Sequence, residues 1–133
     1  MSDFTVGDVI AERTVHLTRE SLVRYAGASG DFNPIHYRDD VAVSVGLPGV
    51  LAHGMLTMGL ASSVVLAALP ADVRLIDYGV RFTKPVLVDP QDGADVHVLA
   101  KVGAADETSA RIDLTVKAAE TTVLVKAQLR VAL

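Results

Sequence analysis

The chain has 133 residues, 50% of them hydrophobic and 5% aromatic, and a formal net charge of -4. This length and apolar content predict a single domain over residues 1–133 and exclude a disordered chain. The acidic balance and the scattered Lys and Arg argue against nucleic acid and anionic membrane surfaces as partners, and a sequence without cysteine has no disulfide, thiolate nucleophile or Cys-based zinc site.

The N-terminal segment and the longest apolar run both bear on localisation. The N-terminal segment is acidic and has neither the basic nor the apolar region of a secretory signal. The apolar run, residues 55–69, is shorter than the roughly 20 residues that span a bilayer. We therefore expect a cytoplasmic protein without membrane insertion.

The first third of the chain is typical of a strand, a helix and a polar loop. Residues 9–17 alternate between apolar and polar side chains, which predicts a strand. Thr18 suits the N-cap of a helix. The predicted apolar stripe of that helix is Leu22, Val23, Tyr25 and Ala26. After the loop, Asp39 or Asp40 can cap a second, short helix.

Residues 55–69 predict a third helix, and it is the most apolar segment of the chain. Its apolar side chains cover the full circumference, which predicts burial on all sides. Small residues along it would let a neighbouring backbone or a slim ligand come close. These residues are Gly59, Ala61, Ser62 and Ser63.

Beyond Pro70, apolar and polar residues alternate in four segments, which predicts four half-buried strands. Together with residues 9–17 they make an antiparallel sheet of about five strands. The simplest packing wraps this sheet around the buried helix, so we expect an α+β fold of two layers. A short sheet has two exposed edges, and pairing of one edge with another subunit makes a dimer the structural expectation.

The polar loop carries the chemistry, because it places Asp31, Asn33 and His36 within six positions. An Asp and a His held together can bind one water, with one group accepting a proton and the other donating or orienting one. Gly54 stands where the apolar helix begins, so its N–H lacks an intrahelical partner and can bind an oxyanion. These groups suit addition or elimination of water next to a thioester.

Two segments together carry a family resemblance: Ser-Gly-Asp-Phe-Asn-Pro-Ile-His at 29–36 and Leu-Ala-His-Gly-Met at 51–55. They resemble the signature of the MaoC-like (R)-specific enoyl-CoA hydratases, the hydratase 2 group, and are especially similar to the catalytic subunit of the mycobacterial (3R)-hydroxyacyl-ACP dehydratase of mycolic acid elongation. The resemblance implies a single hot-dog fold and a hydro-lyase that interconverts trans-2-enoyl and (3R)-3-hydroxyacyl thioesters of CoA or acyl carrier protein. It also implies a homodimer, or a heterodimer with a second hot-dog subunit.

Residue roles follow from the same resemblance. The catalytic pair would be Asp31 and His36, and the amide of Gly54 would form the oxyanion hole. Asn33 would help to orient the pair, and Ser62 would line the same pocket. His53, judged by its position, is expected to cap the helix or brace the pocket.

Other interpretations stay open at the level of the sequence. Asp31 and Asn33 also suit local turns before a proline. A hot-dog thioesterase would hydrolyse the thioester instead, and a non-catalytic acyl-binding subunit would need an active partner. Asp31, His36 and His53 are the residue types of a two-His, one-carboxylate metal site, but water addition needs no metal, so no metal or other cofactor is expected.

Overall fold

The helices and strands follow one another in the predicted order. In the computed structural model, which describes residues 4–133, the elements are β1 (Val9–Leu17), α1 (Arg19–Ser29), a 3-10 helix (Pro34–His36), α2 (Asp39–Ser44), α3 (Gly54–Leu66), β2 (Arg74–Phe82), β3 (Ala94–Ala105), β4 (Ser109–Ala118) and β5 (Thr121–Ala132). The α+β class and the hot-dog arrangement of a sheet with one long helix are confirmed.

All five strands belong to one antiparallel sheet with the order β1-β3-β4-β5-β2. Strands β3, β4 and β5 form a continuous meander, in which Val98 lies opposite Val116 and Ile112 opposite Leu129. The strand order leaves β1 and β2 at the two edges. Both edges are therefore open to pairing in the single chain.

The core lies between one face of the sheet and one side of α3. The alternation along the meander sends its apolar residues inward, and seven of them have no exposed surface: Val96, Val98, Ala100, Ile112, Val116, Leu129 and Val131. Helix α3 contributes Ala61, Val64 and Val65 to the same cluster. Burial of each such Val or Leu stabilises the fold by about 1.5–3 kcal/mol, so this layer holds α3 against the sheet.

The prediction that α3 is buried on all sides is wrong for the single chain. Met55 is 60% exposed and Leu66 39% exposed, because a five-stranded sheet covers only one side of the helix. Strand β2 is similarly open, with Ile76 53% exposed. None of the helices in residues 4–133 is long and apolar enough to cross a membrane.

Helix α1 begins as predicted, and its apolar stripe is narrower than predicted. The Thr18 hydroxyl accepts from the Ser21 N–H, and the Ser21 hydroxyl accepts from the Thr18 N–H, which is a reciprocal capping arrangement. Leu22 and Ala26 are buried, but Val23 is 61% exposed. Tyr25 is half-buried, so Val23 alone of the four predicted residues lies outside the stripe.

Helix α2 is not capped by Asp39 or Asp40 as predicted. Its N-cap residue is Arg38, and both aspartates lie in the first turn. The Asp39 carboxylate instead pairs with Arg19 at 2.9 Å and accepts from the Val50 N–H at 3.0 Å. These contacts hold the pKa of Asp39 below its usual value, the bond from Arg19 being the largest cause. The carboxylate thus joins α2 to the start of α1 and to the segment that precedes α3.

Candidate active site

The loop after α1 is shaped by short bonds from side chains to backbone. Gly30 ends the helix with a φ of 75°, a left-handed conformation that glycine adopts without strain. The Asp31 N–H donates to the Ser29 hydroxyl at 3.1 Å, and the Asn33 N–H donates to Asp31 Oδ1 at 3.1 Å. The Ile35 N–H donates to Asn33 Oδ1 at 3.2 Å, which caps the 3-10 helix. The polar side chains therefore build local turns, and those turns fix where the loop points.

His36, at the end of the 3-10 helix, is held in one tautomer. Only 8% of the residue is exposed, and its Nδ1 lies 2.7 Å from the Leu51 carbonyl oxygen. A carbonyl can only accept, so Nδ1 carries the hydrogen. The neutral ring therefore presents Nε2 as a proton acceptor. The same bond joins the polar loop to the segment that leads into α3.

Asp31 and His36 lie close together, as the sequence predicts. One polar atom from each of Asp31, His36 and His53 forms a group whose members all lie within 4.8 Å of one another. The Asp31 side chain is exposed, and the His36 ring is buried beneath the same loop. A single water can bridge a carboxylate and an imidazole at this separation.

His53 lies beneath this pair and is almost completely buried, with 1% of its surface exposed. Its ring stacks on His36 with a centroid distance of 3.9 Å and an interplanar angle of 24°. Tyr25 of α1 meets the His53 ring edge-on, at a centroid distance of 4.7 Å. His53 Nε2 donates to the Asp31 carbonyl oxygen at 3.2 Å. His53 therefore connects the polar loop to the start of α3.

The stacked rings do not suit a metal ion. The lone pair of each imidazole nitrogen lies in the plane of its ring, and two nearly parallel planes cannot direct both lone pairs at one ion. Asp31, His36 and His53 have the residue types of a two-His, one-carboxylate metal site, but the two histidine rings are stacked on each other.

Gly54 is the first residue of α3 and follows the N-cap residue His53. The first bond of this helix runs from the Thr57 N–H to the His53 carbonyl at 3.2 Å, so the Gly54 N–H precedes the hydrogen-bonded turns. A Cβ on Gly54 would lie 3.1 Å from Cε1 of Phe82. Glycine therefore allows the Phe82 ring to pack directly against the start of the helix.

A cavity of about 270 Å³ opens beside Gly54. Its walls come from the start of α3, the end of β2 and the start of β5, and they include Thr57, Phe82, Lys84 and Leu124. Asp31 and His36 are not among the residues that line it. The connection between the cavity and the pair is the His53–Gly54 peptide.

A sequence profile described as a MaoC-like domain matches residues 4–123. The chain belongs to the MaoC-like family. The MaoC-like chain is 40% identical over 79 residues to the 3-hydroxyacyl-thioester dehydratase X of Mycobacterium tuberculosis, a match that covers 59% of this chain and 27% of that protein. An R-hydratase from Pseudomonas aeruginosa, in its unliganded form, has a TM-score of 0.81 and 27% identity, over 97% of this chain and 81% of that one.

A chain from a two-protein complex has the same fold. The ChsH1-ChsH2 complex from Mycobacterium tuberculosis has a TM-score of 0.86 and 19% identity, over 97% of the MaoC-like chain and 98% of that chain, which shows a shared fold. The MaoC-like chain spans between 27% and 60% of the length of the curated relatives that it matches.

The remaining predicted residue, Ser62, lies two turns along α3. Its hydroxyl donates to the Gly59 carbonyl at 2.9 Å within the same helix, and it does not line the cavity beside Gly54. A role for Ser62 in the pocket therefore stays a prediction.

Sequence reasoning missed two residues that line the cavity in this MaoC-like chain, Thr57 and Phe82. Thr57 is 3% exposed and stands one turn beyond Gly54, so a polar residue on the apolar helix was the available signal. Nothing in the sequence indicated that Phe82 lines the cavity, because its contact with Gly54 arises only when β2 packs beside α3.

Proposed function

We propose that this chain is an (R)-specific hydratase or dehydratase that interconverts trans-2-enoyl and (3R)-3-hydroxyacyl thioesters of CoA or acyl carrier protein, acting as a single MaoC-like domain in elongation of the fatty-acid or mycolic-acid type. The observation that carries the proposal is the placement of Asp31 and His36 within 4.8 Å, linked through His53 to the Gly54 amide. The names of the dehydratase and R-hydratase relatives support it. A cytoplasmic location is part of the same proposal.

The proposed reaction starts with one water bound between Asp31 and His36. Because the Leu51 carbonyl holds the hydrogen on Nδ1, His36 Nε2 is the atom that accepts a proton from this water. The water oxygen bonds to C3 of the enoyl thioester, and negative charge develops on the thioester oxygen. The Gly54 N–H stabilises that charge. A proton delivered from the pair to C2 completes the addition, and the reverse sequence eliminates water.

Two of the supporting residues, Asn33 and His53, act on this pair and not on the substrate. Asn33 caps the 3-10 helix that ends at His36, so its proposed role is to fix the loop. His53 holds the Asp31 carbonyl. Ser62 is proposed to line the path of the acyl chain along α3.

The test is hydration of crotonyl-CoA by the purified chain and by Asp31→Asn and His36→Ala. Each variant should lower kcat by about 10²–10⁴-fold, the range typical of lost general acid or base catalysis. His97→Gln is the matched control, because that histidine pairs with Glu12 on the exposed face of the sheet. Near-native turnover in either site variant would refute the assignment.

The same samples distinguish the competing functions. A thioesterase would release free thiol from crotonyl-CoA, which the hydratase does not do. A non-catalytic acyl-binding subunit would bind the thioester without turnover, even with Asp31 and His36 intact.

We also propose that the chain works as a dimer, either with itself or with a second hot-dog subunit. Two observations support this: the unpaired edge of β2 and the exposed side of α3, where Met55 is 60% exposed. A partner strand on β2 would extend the sheet and shield exposed apolar surface.

A further inference from the structure

His53 makes contacts that exceed the needs of a helix cap. It offers no side-chain bond to the start of α3, although it occupies the N-cap position. Its ring lies instead between Tyr25 and His36, and its Nε2 reaches the Asp31 carbonyl. One side chain therefore touches α1, the polar loop and the 3-10 helix, while its backbone begins α3.

The bond to Asp31 determines the tautomer of His53. A carbonyl oxygen accepts, so Nε2 must carry a hydrogen, and in the neutral ring Nδ1 is then bare. His53 Nδ1 is buried and has no hydrogen-bond partner among residues 4–133. A buried acceptor without a partner destabilises the fold. Within the described residues, the ring therefore keeps its bond to the Asp31 carbonyl while Nδ1 stays unsatisfied.

The surroundings of His53 favour its neutral form. Burial lowers the pKa of His53, and the nearby His36 lowers it further, whereas the bond to the Asp31 carbonyl and the Asp31 charge act in the opposite direction. The titratable groups that face it are Tyr25, Asp31 and His36. A neutral ring beneath His36 adds no charge that would oppose a proton arriving on His36.

We propose that His53 is a positioning residue: its Nε2–H holds the Asp31 backbone and its ring supports His36, so that the water-binding pair keeps a fixed separation from the Gly54 amide. This inference rests on the proposed hydratase function. Its structural basis is the direct linkage of His53 to both halves of the site, through its side chain to the pair and through its peptide to Gly54.

Two substitutions separate the hydrogen bond from the ring. His53→Phe keeps a stacking ring and removes the donor, while His53→Gln removes the ring and keeps an N–H donor at the position of Nε2. Because His53 does not touch substrate, misplacement of the pair should lower kcat more than it changes KM. We expect a loss in kcat of about 10–100-fold in His53→Phe, with KM within about threefold of wild type, and a smaller loss in His53→Gln, which keeps the bond to the Asp31 carbonyl but not the support of His36.

The matched control is Tyr25→Phe, which preserves the edge-on contact with His53 and should leave kcat unchanged. Circular dichroism and thermal unfolding check that each variant is folded. An unchanged kcat in folded His53→Phe, or in folded His53→Gln, would overturn the proposal.

A measurement that does not depend on enzyme activity completes the test. Long-range ¹H–¹⁵N spectra of the wild-type chain at pH 7 should show His53 with a protonated Nε2 and a bare Nδ1, as the bond to Asp31 requires. The opposite tautomer would overturn the inference even if the variants failed to fold. Absence of hydratase activity in the wild type, with the expected tautomer present, would instead count against the proposed function and leave the His53 linkage supported.

Discussion

At the scale of single residues, the Gly54–Phe82 contact ties the helix start to the wall of the cavity. The Phe82 ring is 53% exposed, so it can move. When it moves, it no longer packs beside the Gly54 amide. A methyl group on Gly54 would lie 3.1 Å from the ring and would push it outward. The contact thus affects the shape of the cavity more than the stability of the fold.

We therefore predict that Gly54→Ala lowers kcat/KM for crotonyl-CoA by about tenfold or more, because the displaced ring and the added methyl disturb the site next to the amide. Thermal unfolding should change little. Gly27→Ala is the control: that glycine lies inside α1, a Cβ there meets nothing within 4 Å, and the substitution should stabilise the helix by about 0.5–1 kcal/mol without affecting turnover. Native kcat/KM in Gly54→Ala would show that the cavity wall is not used.

At the scale of helices and strands, Tyr78 fastens β2 to α3. Its hydroxyl donates to the Met58 carbonyl at 2.6 Å, and burial raises the pKa of Tyr78 to about 12. The bond holds the edge strand β2 against α3, the helix that begins at Gly54. Ionisation of the hydroxyl would remove its hydrogen and break this bond.

Tyr78→Phe should lower the free energy of unfolding by about 1 kcal/mol, the typical value of one hydrogen bond. The pH dependence has a definite sign. The ordinary pKa of tyrosine is 10.0 and the folded value is about 12, so the contribution of Tyr78 is fully present below pH 10 and is lost as the pH rises towards 12. Denaturant unfolding at pH 9 and pH 11 measures this loss, which Tyr78→Phe should lack. An equal pH dependence in both proteins would contradict the prediction.

At the scale of the whole molecule, the edge strand β2 and the open side of α3 both leave apolar side chains exposed. An exposed apolar edge strand promotes association unless it is paired or charged. Ile76 is 53% exposed in the single chain, so replacing it should not disturb the core.

Light scattering with size exclusion should therefore give the wild-type chain a mass of about twice 14.0 kDa, or show a mixed complex when its partner is present. Ile76→Lys should shift the mass towards 14.0 kDa, because a lysine on an edge strand opposes pairing. Val43→Lys on α2, where the valine is 59% exposed, is the control and should not change the mass. A wild-type chain that is monomeric alone and forms no complex with a second hot-dog subunit would contradict the proposed dimer.

Much of this architecture could be predicted from local pattern. The alternation over residues 9–17 predicted β1 with the bounds that it has, and the motif spacing predicted that Asp31 and His36 would lie together. The exposed side of α3 could not be predicted, because an apolar residue such as Met55 has the same pattern whether it faces a core or a subunit. The predicted cap of α2 was wrong because Arg19, which is distant in sequence, binds the Asp39 carboxylate.

The strand order also has a consequence for how the chain folds. The meander of β3, β4 and β5 forms through short hairpins, whereas β1 must find β3 and β2 must find β5 across long stretches of chain. Non-local pairings slow folding because the intervening chain loses entropy before the contacts form. We therefore expect the meander to nucleate first. Helix α3 precedes these strands in the chain, so its apolar side would stay uncovered during synthesis until β5 has emerged.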